Sequence, residues 1–291
     1  MWDGRETIAG SDHCNHASEG GKCFASVNPV DLADQANSAT LRHAQGAQAL
    51  TAQQQSEIVA FETSLFTAQV WDNRAHDLSA KGARGGPDNL FNVTSYYGAN
   101  DNLGDYQSGA AFSPVIFTEY AAWAGATDTA RASIARGEAL FNSRPITISG
   151  VSGLNFNSPF NPPLPASFTG SCGTCHDTPS GGNHSIVAPL NIGLVEASQR
   201  TADMPLYTLR NNTTGDSVQV TDPGRALITG KWADIGKFKG PVLRTLAARA
   251  PYFHNGSAKT LSAVIDFYNT RFAMGLTAQE HNDLVAFLGA L

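Results

Sequence analysis

Residues 172–176 read Cys172-Gly173-Thr174-Cys175-His176. This C-x-x-C-H pattern is the attachment signal of a c-type haem. Thiols at that spacing add to the vinyl groups of one porphyrin. The histidine directly after the second cysteine is then held under the iron as an axial nitrogen ligand. Three other readings compete: a chance C-x-x-C, half of a zinc site, and a redox dithiol. A zinc site needs a second ligand pair, and none stands at a workable spacing. A redox dithiol of the thioredoxin kind sits in a βαβ pattern, whereas the flanks here are rich in Gly, Pro and Ser. The expected cofactor is therefore one covalent haem c, with Cys172 and Cys175 as thioether links and His176 as iron ligand.

The rest of the composition bounds what surrounds this motif. At 291 residues the chain suits one large or two ordinary domains. Hydrophobic content of 42% against 15% charged residues describes a globular chain with a buried core. A net charge of −6 with no basic run argues against nucleic acid and against an anionic membrane surface as partners. No apolar stretch reaches transmembrane length. Covalent haem attachment takes place outside the cytoplasm, so a periplasmic or extracellular location is expected. Yet Met1-Trp2-Asp3-Gly4-Arg5 has neither the basic nor the apolar region of a signal peptide. The expectation is a misplaced start or a fragment of a longer exported chain. Cys14 and Cys23 are then expected to form a loop disulfide, the rival being a small metal site with His13 and His16.

Two amphipathic helices stand out. The segment from Leu50 to Ala68 begins Leu-Thr-Ala-Gln and places Ile58, Val59, Phe61, Leu65 and Phe66 on one face, with Thr51 as N-cap. The segment from Leu276 to Leu291 begins Leu-Thr-Ala-Gln again and carries Leu284, Val285, Phe287, Leu288 and Leu291. LTAQQQSEIVAFETSL and LTAQEHNDLVAFLGAL match in register, which predicts a duplication. The repeat extends upstream, where Trp2-Asp3-Gly4-Arg5 parallels His254-Asn255-Gly256-Ser257. The second copy has its C-x-x-C-H before His254, and the first has nothing before Trp2. Residues 1–71 are thus expected to be the remnant of a truncated first domain. Residues 72–129 read as a mostly irregular connection whose aromatics, Phe91, Tyr96, Tyr97, Tyr106 and Phe112, need burial. Residues 130–291 read as the haem domain, opening with a helix over Ala130–Phe141, then a Pro- and Gly-rich loop over Ser143–Ser171. His184 either approaches the haem edge or faces solvent. With no sustained strand alternation, the fold class is mainly α, cytochrome c-like, with long irregular loops.

Four further stretches carry a resemblance. They are Asp222-Pro223-Gly224-Arg225; Gly236-Lys237-Phe238-Lys239-Gly240-Pro241-Val242-Leu243-Arg244; Ala250-Pro251-Tyr252-Phe253-His254-Asn255-Gly256-Ser257; and Val264-Ile265-Asp266-Phe267-Tyr268-Asn269. With the C-x-x-C-H they resemble the bacterial di-haem cytochrome c peroxidase/MauG superfamily over residues 130 to 291. Residues 1 to 66 resemble the tail of that family's first haem domain.

The resemblance implies a peroxidase-type oxidoreductase, with hydrogen peroxide cleaved at a first haem and electrons passed by a second. A small redox protein or other electron donor is the implied partner. This chain would hold the electron-passing haem, and the peroxide-cleaving one is expected before Met1. Counted from His254, the family's sixth ligand to the second haem falls on Tyr268. Met274 is the alternative, a thioether ligand that would raise the haem potential. Trp2 falls at the family's tryptophan between the haems and Gln35 at a glutamine of the peroxide pocket. The family's distal glutamate is Gln45 here, which cannot act as the acid–base group of O–O cleavage. His43 stands two residues away as a substitute or as an iron ligand, and a pocket proline of some members is Ala39. Arg249 and Pro251 fall where backbone carbonyls hold an interdomain calcium ion, so Ca2+ is an optional second cofactor. Two other functions compete: a non-enzymatic electron-transfer cytochrome, and a haem oxygenase-like enzyme acting on an organic substrate, as in the rubber-degrading branch.

Overall fold

The computed structural model describes residues 22–92, 113–157, 164–183 and 189–291. Trp2, Cys14 and His184 lie outside the described residues, as does any account of the Cys14–Cys23 pairing. Local sequence signals place most helices. Helix α1 is Lys22–Ser38 and α2 is Ala52–Thr63. In α2, Thr51 accepts from the Gln54 backbone while the Gln54 side chain reaches back to the Thr51 N–H, the reciprocal arrangement of a capping box. Strands β1 (Trp71–Asp72) and β2 (His76–Asp77) make a short hairpin, followed by α3 (Pro87–Phe91), which starts with its proline in the first turn.

Helix α4 (Thr129–Ser143) opens on Asp128, whose carboxylate accepts from the Ala130 and Arg131 N–H groups. Strands β3 (Ile146–Ser149) and β4 (Ser167–Gly170) pair antiparallel, with Ile146 opposite Gly170. This corrects the reading of Ser143–Ser171 as loop throughout: Ile146 and Ile148 point inward and Thr147 outward, an alternation too short to stand out among prolines and glycines. Strands β5 (Tyr207–Arg210) and β6 (Ser217–Val220) form a third two-stranded pair. Helices α5 (Ala226–Thr229), α6 (Leu261–Arg271) and α7 (Ala278–Ala290) follow, α7 capped by Thr277 and Glu280 as α2 is by Thr51 and Gln54. The described residues are mainly helical with short strands, compatible with a cytochrome c-like fold. No helix among them is long and apolar enough to cross a membrane.

The core is built on α4 against α7. Ile134, Glu138 and Phe141 line one stripe of α4. Leu284, Phe287, Leu288 and Leu291 line the facing stripe of α7, at the i, i+3, i+4, i+7 spacing of a buried helical face. Gly137 lets the helices touch, because a Cβ there would stand 2.0 Å from the Asp283 carbonyl oxygen. Phe117, Phe141 and Phe287 meet edge-on or tilted at centroid distances of 5.2 to 5.7 Å. Burying rings of this size contributes about 1.5–3 kcal/mol each.

Residues 75–83 and 116–123 supply Ala75, Leu78, Phe117, Tyr120 and Trp123 to this same core. Buried polar atoms among them are paired: Tyr120 Oη donates to the Ala290 carbonyl, and Trp123 Nε1 to the Ala80 carbonyl at 2.9 Å. Phe91, expected to need burial, is exposed, with only an edge contact to Phe66 at 5.1 Å. The apolar face of α2 is only partly covered among the described residues: Ile58 and Val59 are half-buried, with α1 packed on the helix, while Phe61 is 63% exposed.

Candidate haem site

The C-x-x-C-H stretch follows β4 directly and winds into one tight turn, Cys172–Thr174. Ser171 and Thr174 cap that turn reciprocally, and the Cys175 and His176 N–H groups both donate to the Cys172 carbonyl. Two glycines admit it. A Cβ on Gly170 would stand 2.4 Å from Thr174 Oγ1, and one on Gly173 2.9 Å from Ile116 Cγ1. The turn therefore sits flush against the core and brings Cys172, Cys175 and His176 to one wall of a single cavity.

That cavity measures about 390 Å³, within the 300–1,000 Å³ common for cofactor sites. Its walls are chiefly apolar, from Phe141 of α4, Ile146 and Ile148 of β3, Leu190, Phe238, Val264, Ile265 and Leu284. Tyr268 and Met274 both line it. Lys239 and Arg249 are the cationic side chains among the described lining, and no Asp or Glu is among them.

His176 is oriented by its neighbours. Its Nδ1 lies 2.7 Å from the Gly182 carbonyl oxygen. Nδ1 is thereby the protonated nitrogen, donating to that carbonyl, and Nε2 is the ring nitrogen with the basic character that a metal needs. The Phe141 ring, 6.1 Å away, limits ring rotation from the side. Gly182 has φ +64°, and a Cβ there would meet Phe117 at 2.8 Å and Leu243 at 2.9 Å. Burial pushes both thiols up to about 12, so at neutral pH they stand as neutral thiols in an apolar wall.

Tyr268 stacks on Phe272 at 6.2 Å and meets Phe267 edge-on at 5.4 Å. Burial raises its phenol above the ordinary tyrosine value, with the two cysteines adding to the rise. Met274 packs with Cys172 and Cys175 against the cluster of Ile146, Ile148 and Val151. Its backbone is fixed by Arg144, which donates to the Met274 carbonyl at 2.8 Å. The donor set fits a haem c: two thiols, one oriented imidazole, an apolar slot, two sixth-ligand candidates, and two cations to balance the porphyrin carboxylates.

Similarity to characterised proteins agrees. Cytochrome-c peroxidase IdrP2 of Denitromonas iodatirespirans is 35% identical over 132 residues, 42% of this chain and 36% of the relative. Cytochrome-c peroxidase IdrP1 of the same organism is 34% identical over 148 residues, 43% of this chain and 38% of the relative. Over about two-fifths of its length, this chain is cytochrome c peroxidase-like. Cytochrome-c peroxidase IdrP1 of Pseudomonas sp. (strain SCT) adds 31% identity over 140 residues. No family model matches the chain. The chain spans little more than a third of the length of the curated relatives it matches.

Within this cytochrome c peroxidase-like chain the structure brings together Cys172, Cys175, His176, Tyr268 and Met274, with Arg249 and Pro251 on the same cavity. Gln35 and His43 are not among its lining residues. Gln35 is half-buried in α1, and His43 is exposed in a single wide turn, Ala39–His43. Gln45 is exposed too, at φ +53°. His254 of the Pro-Tyr-Phe-His stretch is buried, stacked on Phe238 at 3.8 Å and 3.7 Å from Asp222. Three contributors escaped the sequence reading. Gly182 supplies the carbonyl for His176, and the Gly181-Gly182 pair so soon after the motif was its signal. Lys239 and Arg244 lie inside a stretch read only for its resemblance.

Proposed function

We propose that Cys172 and Cys175 hold one haem c covalently, that His176 Nε2 is its axial ligand, and that the haem serves electron transfer in a peroxidase-type oxidoreductase. One observation carries this reading: both thiols and an imidazole whose Nδ1 is already bound open onto the same apolar cavity. Bound there, haem supplies the one-electron chemistry. The chain's residues do the rest. Gly182 holds the Nδ1 proton, the aliphatic and aromatic walls exclude water, and Lys239 and Arg249 balance the carboxylates.

Tyr268 is the sixth ligand in this reading, by its count from His254. His176 and Tyr268 would then both hold the haem, and the chemistry it would supply there is one-electron transfer. The described lining also holds no carboxylate to move the proton that O–O cleavage requires. Peroxide cleavage falls to the second haem that the resemblance implies, whose pocket would include Trp2, Gln35 and His43, and a small redox protein is the donor. The same features favour one competing reading, an electron-transfer cytochrome with no peroxidase reaction of its own.

The test is export of the chain with a cytochrome maturation system, followed by a haem-stained denaturing gel. The native chain should stain and Cys175→Ala should lose most of the stain. Undiminished staining of Cys175→Ala overturns the attachment. The 291-residue chain alone should turn over peroxide poorly, and peroxidase rates typical of the relatives would overturn the assignment of roles.

A further inference from the structure

We propose that Arg244 is a positioning residue for the axial histidine, its guanidinium, held by Glu119, pinning the loop whose Gly182 carbonyl receives the His176 Nδ1 proton. The inference rests on the haem reading above and adds to it a control on the ligand's hydrogen bond.

Residues 178–183 form a compact loop closed on itself, with Gly182 N donating to the Thr178 carbonyl at 2.8 Å and Thr178 N to the Asn183 carbonyl at 3.0 Å. Such a loop carries little apolar surface beyond Pro179, so its position depends on what grips it. Among the described residues three bonds do, besides that of His176. Ser180 N donates to the Ile116 carbonyl at 2.8 Å, and Leu243 N donates to the Gly181 carbonyl at 2.8 Å. Arg244 Nε donates to the Ser180 carbonyl at 2.5 Å. Of these grips, Arg244 alone acts through a side chain.

The Arg244 side chain is itself fixed. Its Nη2 donates to Glu119 Oε1, and its guanidinium lies 5.4 Å over the Phe117 ring. The other Glu119 oxygen accepts from the Thr118 N–H at 2.9 Å. Arg244 and Glu119 are 3% and 4% exposed, so the pair is shielded from water and strong in its directional preference. Phe117 in turn touches Gly182's open face and packs on Phe141, the ring beside His176. A shift of the guanidinium is thus passed to both the acceptor and the wall of the imidazole. Lysine could keep the charge but not the fork that engages Ser180 and Glu119 together. A firmer Nδ1–H bond makes an axial imidazole a stronger donor to iron. Loosening it should shift the haem potential upward.

The test uses the haem-loaded full chain, labelled with 15N, and reads solvent exchange of the His176 Nδ1 proton beside the reduction potential. Arg244→Lys should retain haem stain, speed Nδ1–H exchange by roughly tenfold, the loss of a hydrogen bond of ordinary net strength, and raise the potential. Glu119→Gln should move both readings the same way by less, and it carries the test if Arg244→Lys does not fold. In the native chain, the Arg244 Nε–H and His176 Nδ1–H protons should exchange together. Haem-loaded variants with native exchange and potential overturn the proposal, as does a native chain whose Nδ1–H exchanges while Arg244 Nε–H stays protected. A native chain that takes up no haem overturns the haem reading instead, and the two failures are told apart on one gel.

Discussion

His176 Nδ1 stands 2.7 Å from the carbonyl oxygen of Gly182, a residue at φ +64° packed against Phe117 and Leu243. The acceptor for the His176 Nδ1 proton is thus placed where a side chain fits neither the backbone nor the space. Gly182→Ala should cost about 1–2 kcal/mol for the left-handed conformation and about 1–3 kcal/mol more for forced repacking. Urea unfolding of the haem-loaded chain measures the loss, and an alanine variant as stable as the native chain would show that the loop accommodates freely.

Tyr268 and Met274 face one cavity, and they predict opposite redox behaviour. An anionic phenolate stabilises ferric iron and lowers the potential, whereas a thioether raises it. Tyr268→Phe should change the optical spectrum and raise the potential, and Met274→Leu should change neither. Loss of a sulfur-to-iron band with a fall in potential in Met274→Leu would transfer the ligand role to the methionine.

Glu138 is a carboxyl under the core, accepting from the Tyr120 N–H at 2.8 Å. Burial pushes it up to about 7 from the ordinary 4.5, with the Glu119 charge adding to the rise. The folded state then binds this proton more tightly than the unfolded chain. Its contribution to stability is whole below about pH 4.5 and is lost as pH rises through about 7, on the order of 2–3 kcal/mol in all. Urea midpoints at pH 5 and pH 8.5 measure it. Glu138→Gln, which keeps the acceptor, should remove most of that difference, and an unchanged slope would assign it to other groups.

Gly137 marks the closest approach of α4 and α7. A Cβ there would stand 2.0 Å from the Asp283 oxygen and 2.6 Å from Phe287 Cβ. Neither neighbour is the free end of a flexible chain, so Gly137→Ala should cost about 3 kcal/mol or more. Thermal unfolding checks it, and a variant within about 0.5 kcal/mol of native stability would mean that the helices part without penalty.

The parts of this fold legible in sequence are the local ones. Thr51 with Gln54, and Thr277 with Glu280, announce helix starts because each cap is made within one turn. The haem motif is legible because its chemistry fixes its spacing. The pairing of β3 with β4 was hidden, since four residues of alternation among prolines carry little signal. So was the role of residues 75–83 and 116–123 in the core, because nothing local tells that Tyr120 will reach Ala290 across 170 residues. The Arg244–Glu119 pair, 125 residues apart, is equally silent. In each case the partner is supplied by tertiary packing, which no window of sequence contains.

Arg136 grips Asp283 through two guanidinium nitrogens, Nε and Nη2, at 2.7 and 2.8 Å, across 147 residues of chain. The segment that carries the cysteines is thus an excursion whose mouth is shut by α4 and α7. Closing so long a loop is entropically late, and contacts of such sequence separation slow folding. The hydrophobic slot therefore lacks the part of its wall that Leu284 and Leu288 supply until residues 278–290 have docked. During that interval the two half-buried cysteines would lie in a more open chain than in the folded protein. A porphyrin attached then would meet a slot one helix short of its final wall.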